Sequence, residues 1–145
     1  MKTNIEEARE ILAHASTGSA AVYRHYILHS FLYTENVKRI AAVLGGYWLI
    51  DAIASHQFKV REKLRRLGLR DFQVWALFPD GEGAALEAWT DTPRAAADES
   101  GPASVCLARQ AIPYTDFPLS GEIVPEGRPF VLYVENAVLC LPAER

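Results

Sequence analysis

The chain has no apolar run approaching the ~20 residues that cross a bilayer, so no membrane span is expected. It has only two cysteines, Cys106 and Cys140, each inside an apolar, strand-like run. The opening Met1-Lys2-Thr3-Asn4-Ile5-Glu6-Glu7 lacks both an apolar core and a small-residue cleavage site. A secreted, disulfide-built protein is therefore not expected, and the two thiols read as small buried hydrophobes in a cytoplasmic protein. There is no glycine-rich phosphate loop, no GxSxG elbow, no HExxH and no paired CxxC. These absences remove the standard signatures of nucleotide, serine-hydrolase and zinc chemistry. No cofactor and no metal are expected.

What remains is ordinary globular composition: 145 residues, 50% hydrophobic and 23% charged. A chain of this length buries roughly 70% of the surface its unfolded form exposes, enough for a core without staples. One domain, 1–145, is expected, helical over about 1–70 and sheet-forming over about 71–145. The net charge of -3 hides a division. Residues 1–70 hold eleven Lys/Arg against six Asp/Glu, and residues 71–145 hold four against twelve. The division fits a basic face for an anionic partner, or two halves of one domain that attract each other.

Thr3-x-x-Glu6 is a capping box, and Ile5, Ala8, Ile11, Leu12 and Ala15 follow at helical spacing, predicting a helix over 4–15. Residues 22–33, rich in Tyr, Ile, Leu and Phe, fit helix and strand equally. Thr34 reads as the N-cap of a second helix that Gly45 or Gly46 stops. A third helix is predicted over 47–57, and further turns over 58–67 end at Gly68. From Phe72 the period changes to two. Strands are predicted over 72–78 and 84–90, joined by a hairpin, then over 105–112, 130–134 and 138–141, with 92–104 as a loop excursion. Helices followed by strands argue α+β, with N-terminal helices on one face of an antiparallel, four- to five-stranded meander sheet.

The third helix is the most informative segment, because it is apolar on nearly every side and carries one carboxylate, Asp51. Tyr47, Asp51 and Ser55 share one side of it. A carboxylate in such a setting is either a general acid or base, assisted here by His25 or Tyr47, or a tie to a neighbouring loop through Arg24 or His25. His25 and His29 are spaced to share one side, and with Asp51 or His56 they are the sole metal-like arrangement. Lys59, Arg61, Lys63, Arg65, Arg66 and Arg70 against Glu62 form a basic run over 59–70. Lys59, Lys63, Arg66 and Arg70 are its candidate phosphate contacts, and the alternative is a solvated helix face. Tyr114-Thr115-Asp116-Phe117-Pro118-Leu119 reads as a recognition loop, or as a turn that packs Phe117 and Leu119 inward while Thr115 or Asp116 caps it.

Several phrases carry a resemblance: Tyr23-Arg24-His25, Tyr33-Thr34, Gly46-Tyr47-Trp48-Leu49-Ile50-Asp51 with Ile53, Ser55 and Gln57, and Phe72-Gln73-Val74-Trp75. Tyr114 to Leu119 and Val138-Leu139-Cys140-Leu141-Pro142 continue it. In this order they resemble a bacterial family of small domains of unknown function, found largely on plasmids, phages and other mobile elements. The resemblance implies a mobile-element accessory protein and supplies no activity. With no convincing catalytic set, binding rather than catalysis is expected, with a protein partner engaged through Tyr23, Arg24 and Asp51. The alternatives are a nucleic-acid-associated protein using the basic run, and a small enzyme built on Asp51.

Overall fold

The computed structural model of the chain describes residues 3–17, 21–91, 104–119 and 121–145. Thr3 opens α1 (Asn4–Ala13) through the expected box: its hydroxyl accepts from the Glu6 amide, and the Glu6 carboxylate accepts from the Thr3 amide. A 3-10 turn over Ala15–Thr17 follows. The ambiguous stretch becomes a hairpin of two short strands, β1 (Val22–Arg24) and β2 (Leu32–Thr34), where aromatic and β-branched residues pair well. Thr34 then caps α2 (Glu35–Leu44), accepting from the Val37 amide, and Gly45 ends it in the left-handed conformation, with φ 65°. α3 (Tyr47–Ser55) and α4 (Gln57–Arg66) come next. The strands β3 (Phe72–Asp80), β4 (Gly83–Trp89), β5 (Cys106–Ile112), β6 (Phe130–Glu135) and β7 (Val138–Cys140) follow, and then a 3-10 turn over Pro142–Glu144.

The α+β class holds, but the sheet is larger than the expected four- to five-stranded meander and is not wholly antiparallel. Among the described residues it has seven strands, in the order β1-β2-β7-β6-β3-β4-β5. Two strands are added by the 22–34 segment, and β2 meets β7 in parallel, Leu32 opposite Val138. The meander breaks because β6 returns to the far side of β3, with Trp75 opposite Leu132, instead of continuing beyond β5. β3 is therefore an interior strand, and six consecutive residues from Phe72 to Leu77 are buried. Of the 92–104 excursion, residues 92–103 lie outside the described residues.

One sheet face, through Trp75, Leu77, Leu86, Phe130, Leu132 and Leu139, joins Ile40, Leu49, Ile50, Ile53 and Val60 of the helices in a single buried cluster. Phe117 enters the same core against Trp48 and Phe130, with ring centroids 6.3 and 5.3 Å away. Thr115 caps that turn by accepting from the Phe117 amide, the packing alternative for this segment. A polar knot fixes α4 to β3. Gln57 and Gln73, both 0% exposed, exchange reciprocal amide bonds of 2.9 and 3.0 Å, and the Trp75 indole donates to Gln73 at 2.8 Å. Satisfied in this way, two buried amides become a specific registration of helix on sheet.

Candidate functional site

The site begins where β1 ends. The His25 amide donates to the Phe31 carbonyl at 2.9 Å and the Phe31 amide donates to the Leu28 carbonyl at 3.0 Å, folding residues 25–31 into a tight connection. Inside it, His25 Nδ1 accepts from the Leu28 and Ile27 amides at 3.0 and 3.3 Å. Two donors aimed at Nδ1 assign the ring proton to Nε2, which donates to Asp51 Oδ1 at 2.8 Å. His25 is thus a neutral clamp that ties the hairpin connection to α3. Both ring nitrogens are occupied, so the imidazole has no lone pair to offer as a base.

Asp51 faces outward from this clamp. The His25 side chain is 6% exposed, whereas that of Asp51 is 46% exposed. On one side stand Tyr33 and Tyr47. The Tyr33 phenol is held above its ordinary pKa by burial first, then by Tyr47, Asp51 and Tyr23. Tyr23 stacks on Tyr33 with centroids 6.0 Å apart, and Lys38 Nζ lies 4.0 Å from the Tyr23 ring centre. On the other side opens a cleft of about 320 Å³, lined among others by His25, Tyr26, Ile27, Asp51, Ser55 and Phe58. Tyr26, Ile27 and Phe58 at its rim are 70, 72 and 85% exposed.

The other candidates are placed differently. Arg24 alternates with Tyr23 in β1 and with His25 just beyond its end, so it lies on the opposite face, is exposed, and takes no part in the clamp. Ser55 turns its hydroxyl back onto the Ala52 carbonyl at 2.6 Å. His29 Nε2 donates to the Tyr26 carbonyl and His56 Nε2 meets Gln110, so neither joins His25. Among the described residues no three His, Cys, Asp or Glu converge.

The basic run is largely tied into the protein itself. Arg65 and Arg66 both grip Glu62, whose carboxyl is held below the usual range chiefly by its hydrogen bond from Arg65. Lys63 Nζ donates to the Leu107 carbonyl at 2.8 Å, and Arg61 lies 3.9 Å from Asp71. Arg70 sits over Phe72 and 4.0 Å from Glu135, while Lys59 is exposed. With Arg9 donating to the Glu122 carbonyl, these contacts join the basic and acidic halves of the chain. Cys106 and Cys140 are free thiols, and burial first, then Glu144 and Glu135, pushes Cys140 up to about 11.

A family model matches residues 6–145. The chain belongs to DUF6876, a family of unknown function. No curated protein and no solved structure matches it. For this DUF6876 chain the chemistry must therefore be argued from the site. Asp51 and His25 stand out in the sequence, whereas the rim residues do not. Phe58 was legible, because it falls out of phase with Gln57, Val60 and Leu64, the buried stripe of α4. Tyr26 and Ile27 were hidden in a stretch whose local state was ambiguous.

Proposed function

We propose that this chain is a single-domain, non-catalytic protein-binding module, acting in the cytoplasm as an accessory protein of a mobile element. The observation that carries the binding reading is the rim: three large apolar side chains, Tyr26, Ile27 and Phe58, stand exposed together around one cleft. Grouped exposed apolar surface on a folded scaffold marks interaction sites, whereas scattered single residues do not. The floor of the cleft is held by the His25 clamp, so the surface is preorganised.

The neighbouring sheet edge supports the same reading. The Glu35 amide bonds to the Ala21 carbonyl and the His25 amide to the Phe31 carbonyl, so alternate residues of β1 point their backbone groups at β2. Val22 and Arg24 then turn theirs to the open edge, where a partner strand can add. Tyr23, Arg24 and Asp51 are the proposed partner-contacting residues. Catalysis has less support, because the imidazole beside Asp51 has no free nitrogen. Nucleic-acid binding has less support, because Lys63, Arg66 and Arg70 are engaged with Leu107, Glu62 and Glu135. The test is affinity capture from native host lysate, with and without nuclease, using the wild type and Phe58→Ser, Arg24→Ala and Asp51→Ala. A nuclease-resistant protein partner lost in these folded variants is expected. Undiminished capture by all three overturns the proposal.

A further inference from the structure

We infer that the cleft beside Asp51 receives one cationic side chain, a lysine or arginine carried by the partner protein. The inference rests on the protein-binding reading and specifies the chemistry of its central contact. Among the residues lining the cleft Asp51 is the one acid, no lysine or arginine lines it, and the His25 ring turns its nitrogens to Asp51 and to the Ile27 and Leu28 amides. His25 takes Oδ1, and no lysine or arginine among the described residues pairs with the carboxylate. Asp51 lines the cleft with a side chain that is 46% exposed, and Oδ2 takes no part in the bond to His25.

The walls suit the stem and the head of such a guest. Ile27 and Phe58 offer apolar surface to a methylene chain, and the aromatic rings of Tyr26 and Phe58 line the same cleft as the charge. A carboxylate framed by aromatic rings binds a cation through both a charge-assisted hydrogen bond and the ring quadrupoles. The same chemistry is already used a few residues away, where Lys38 lies over Tyr23. An acidic guest meets repulsion from Asp51, and a neutral apolar guest fills the walls while leaving Oδ2 without a partner.

The experiment titrates ¹⁵N-labelled protein, followed by amide NMR shifts, with Nα-acetyl-lysine methylamide, its norleucine analogue and its glutamate analogue. The lysine probe is expected to shift amides of residues 25–28 and 51–58 saturably, binding about tenfold tighter than norleucine and losing that advantage in high salt. Asp51→Asn keeps an oxygen for His25 Nε2 while removing the charge, so it is expected to fold, retain the norleucine affinity and abolish the lysine preference. Phe58→Ser, at a position 85% exposed, provides a second readout that folding does not confound, and is expected to weaken both probes. Equal binding of lysine and norleucine, or a lysine preference that survives Asp51→Asn, overturns the cation assignment and leaves the protein-binding reading standing. Absence of shifts at these amides overturns the assignment too, while partner capture that also ignores Phe58 and Asp51 removes the broader reading.

Discussion

Replacing His25 by leucine tests whether the imidazole holds the site together. His25 accepts from two backbone amides, Ile27 and Leu28, and donates to Asp51 Oδ1, all from a residue 5% exposed. Leucine has similar bulk and makes none of these bonds. Each partly buried amide left without an acceptor costs about 1 kcal/mol, and loss of the bond to the Asp51 carboxylate adds about 1 kcal/mol, because Asp51 is open to water on its other side. The expected destabilisation is about 2–4 kcal/mol, or roughly 6–15 °C in Tm for a chain of this length. Asp51→Asn, which keeps the acceptor, is expected to cost less than about 1 kcal/mol. The assay is chemical denaturation by circular dichroism, with hydrogen exchange of the Ile27 and Leu28 amides read by NMR. Stability within about 0.5 kcal/mol of wild type, with those two amides still protected, refutes the clamp.

Three further outcomes follow from other parts of the fold. Gln57→Leu leaves a Gln73 side-chain N–H buried without its Gln57 acceptor and is expected to cost about 1–3 kcal/mol in urea denaturation; Gln73→Leu added to it is expected to cost less than the sum of the two singles. Gly83→Ala places a Cβ 1.9 Å from the Ile112 carbonyl oxygen where β4 meets the end of β5, and a loss of about 2 kcal/mol or more is expected in the same assay. Cys140 is expected to resist thiol reagents at neutral pH until the chain unfolds. Its thiol pKa is raised in the folded state, so the unfolded chain loses the proton first as pH rises. Its contribution to stability is therefore complete below the ordinary value of 9.0 and lost as pH rises toward about 11, and Cys140→Ala is expected to flatten that decline.

Legibility in the sequence followed locality. Helix starts and stops were readable because Thr3, Thr34 and Gly45 act within one turn of themselves. The strands of the second half were readable from the turn residues between them, Pro79 to Gly83 above all. What was not readable depends on contacts distant along the chain. The hairpin of β1 and β2 has strands of three residues each, too short for a period to declare itself, and it is secured by β7 more than a hundred residues away. The position of β6 beside β3 is equally non-local, although the unbroken burial of β3 reflects it. Asp51 was flagged by its apolar surroundings and His25 was one of two partners considered for it. The choice between His25 and Arg24 is made by strand alternation, which became visible only once β1 existed. The basic run carries one acid in the sequence, Glu62, and that one carboxylate serves both Arg65 and Arg66.

The most direct measurement is site-specific photo-crosslinking in native host lysate. A photoreactive phenylalanine analogue is placed at Phe58 on the rim and, as a control, at Leu69, which is 48% exposed and belongs to a different pocket. A discrete, nuclease-resistant protein adduct at Phe58, absent at Leu69 and diminished by Asp51→Asn, is the expected result. Adducts of equal strength at both positions, or adducts at Leu69 that vanish with nuclease, contradict docking at the cleft and shift the function to the basic face.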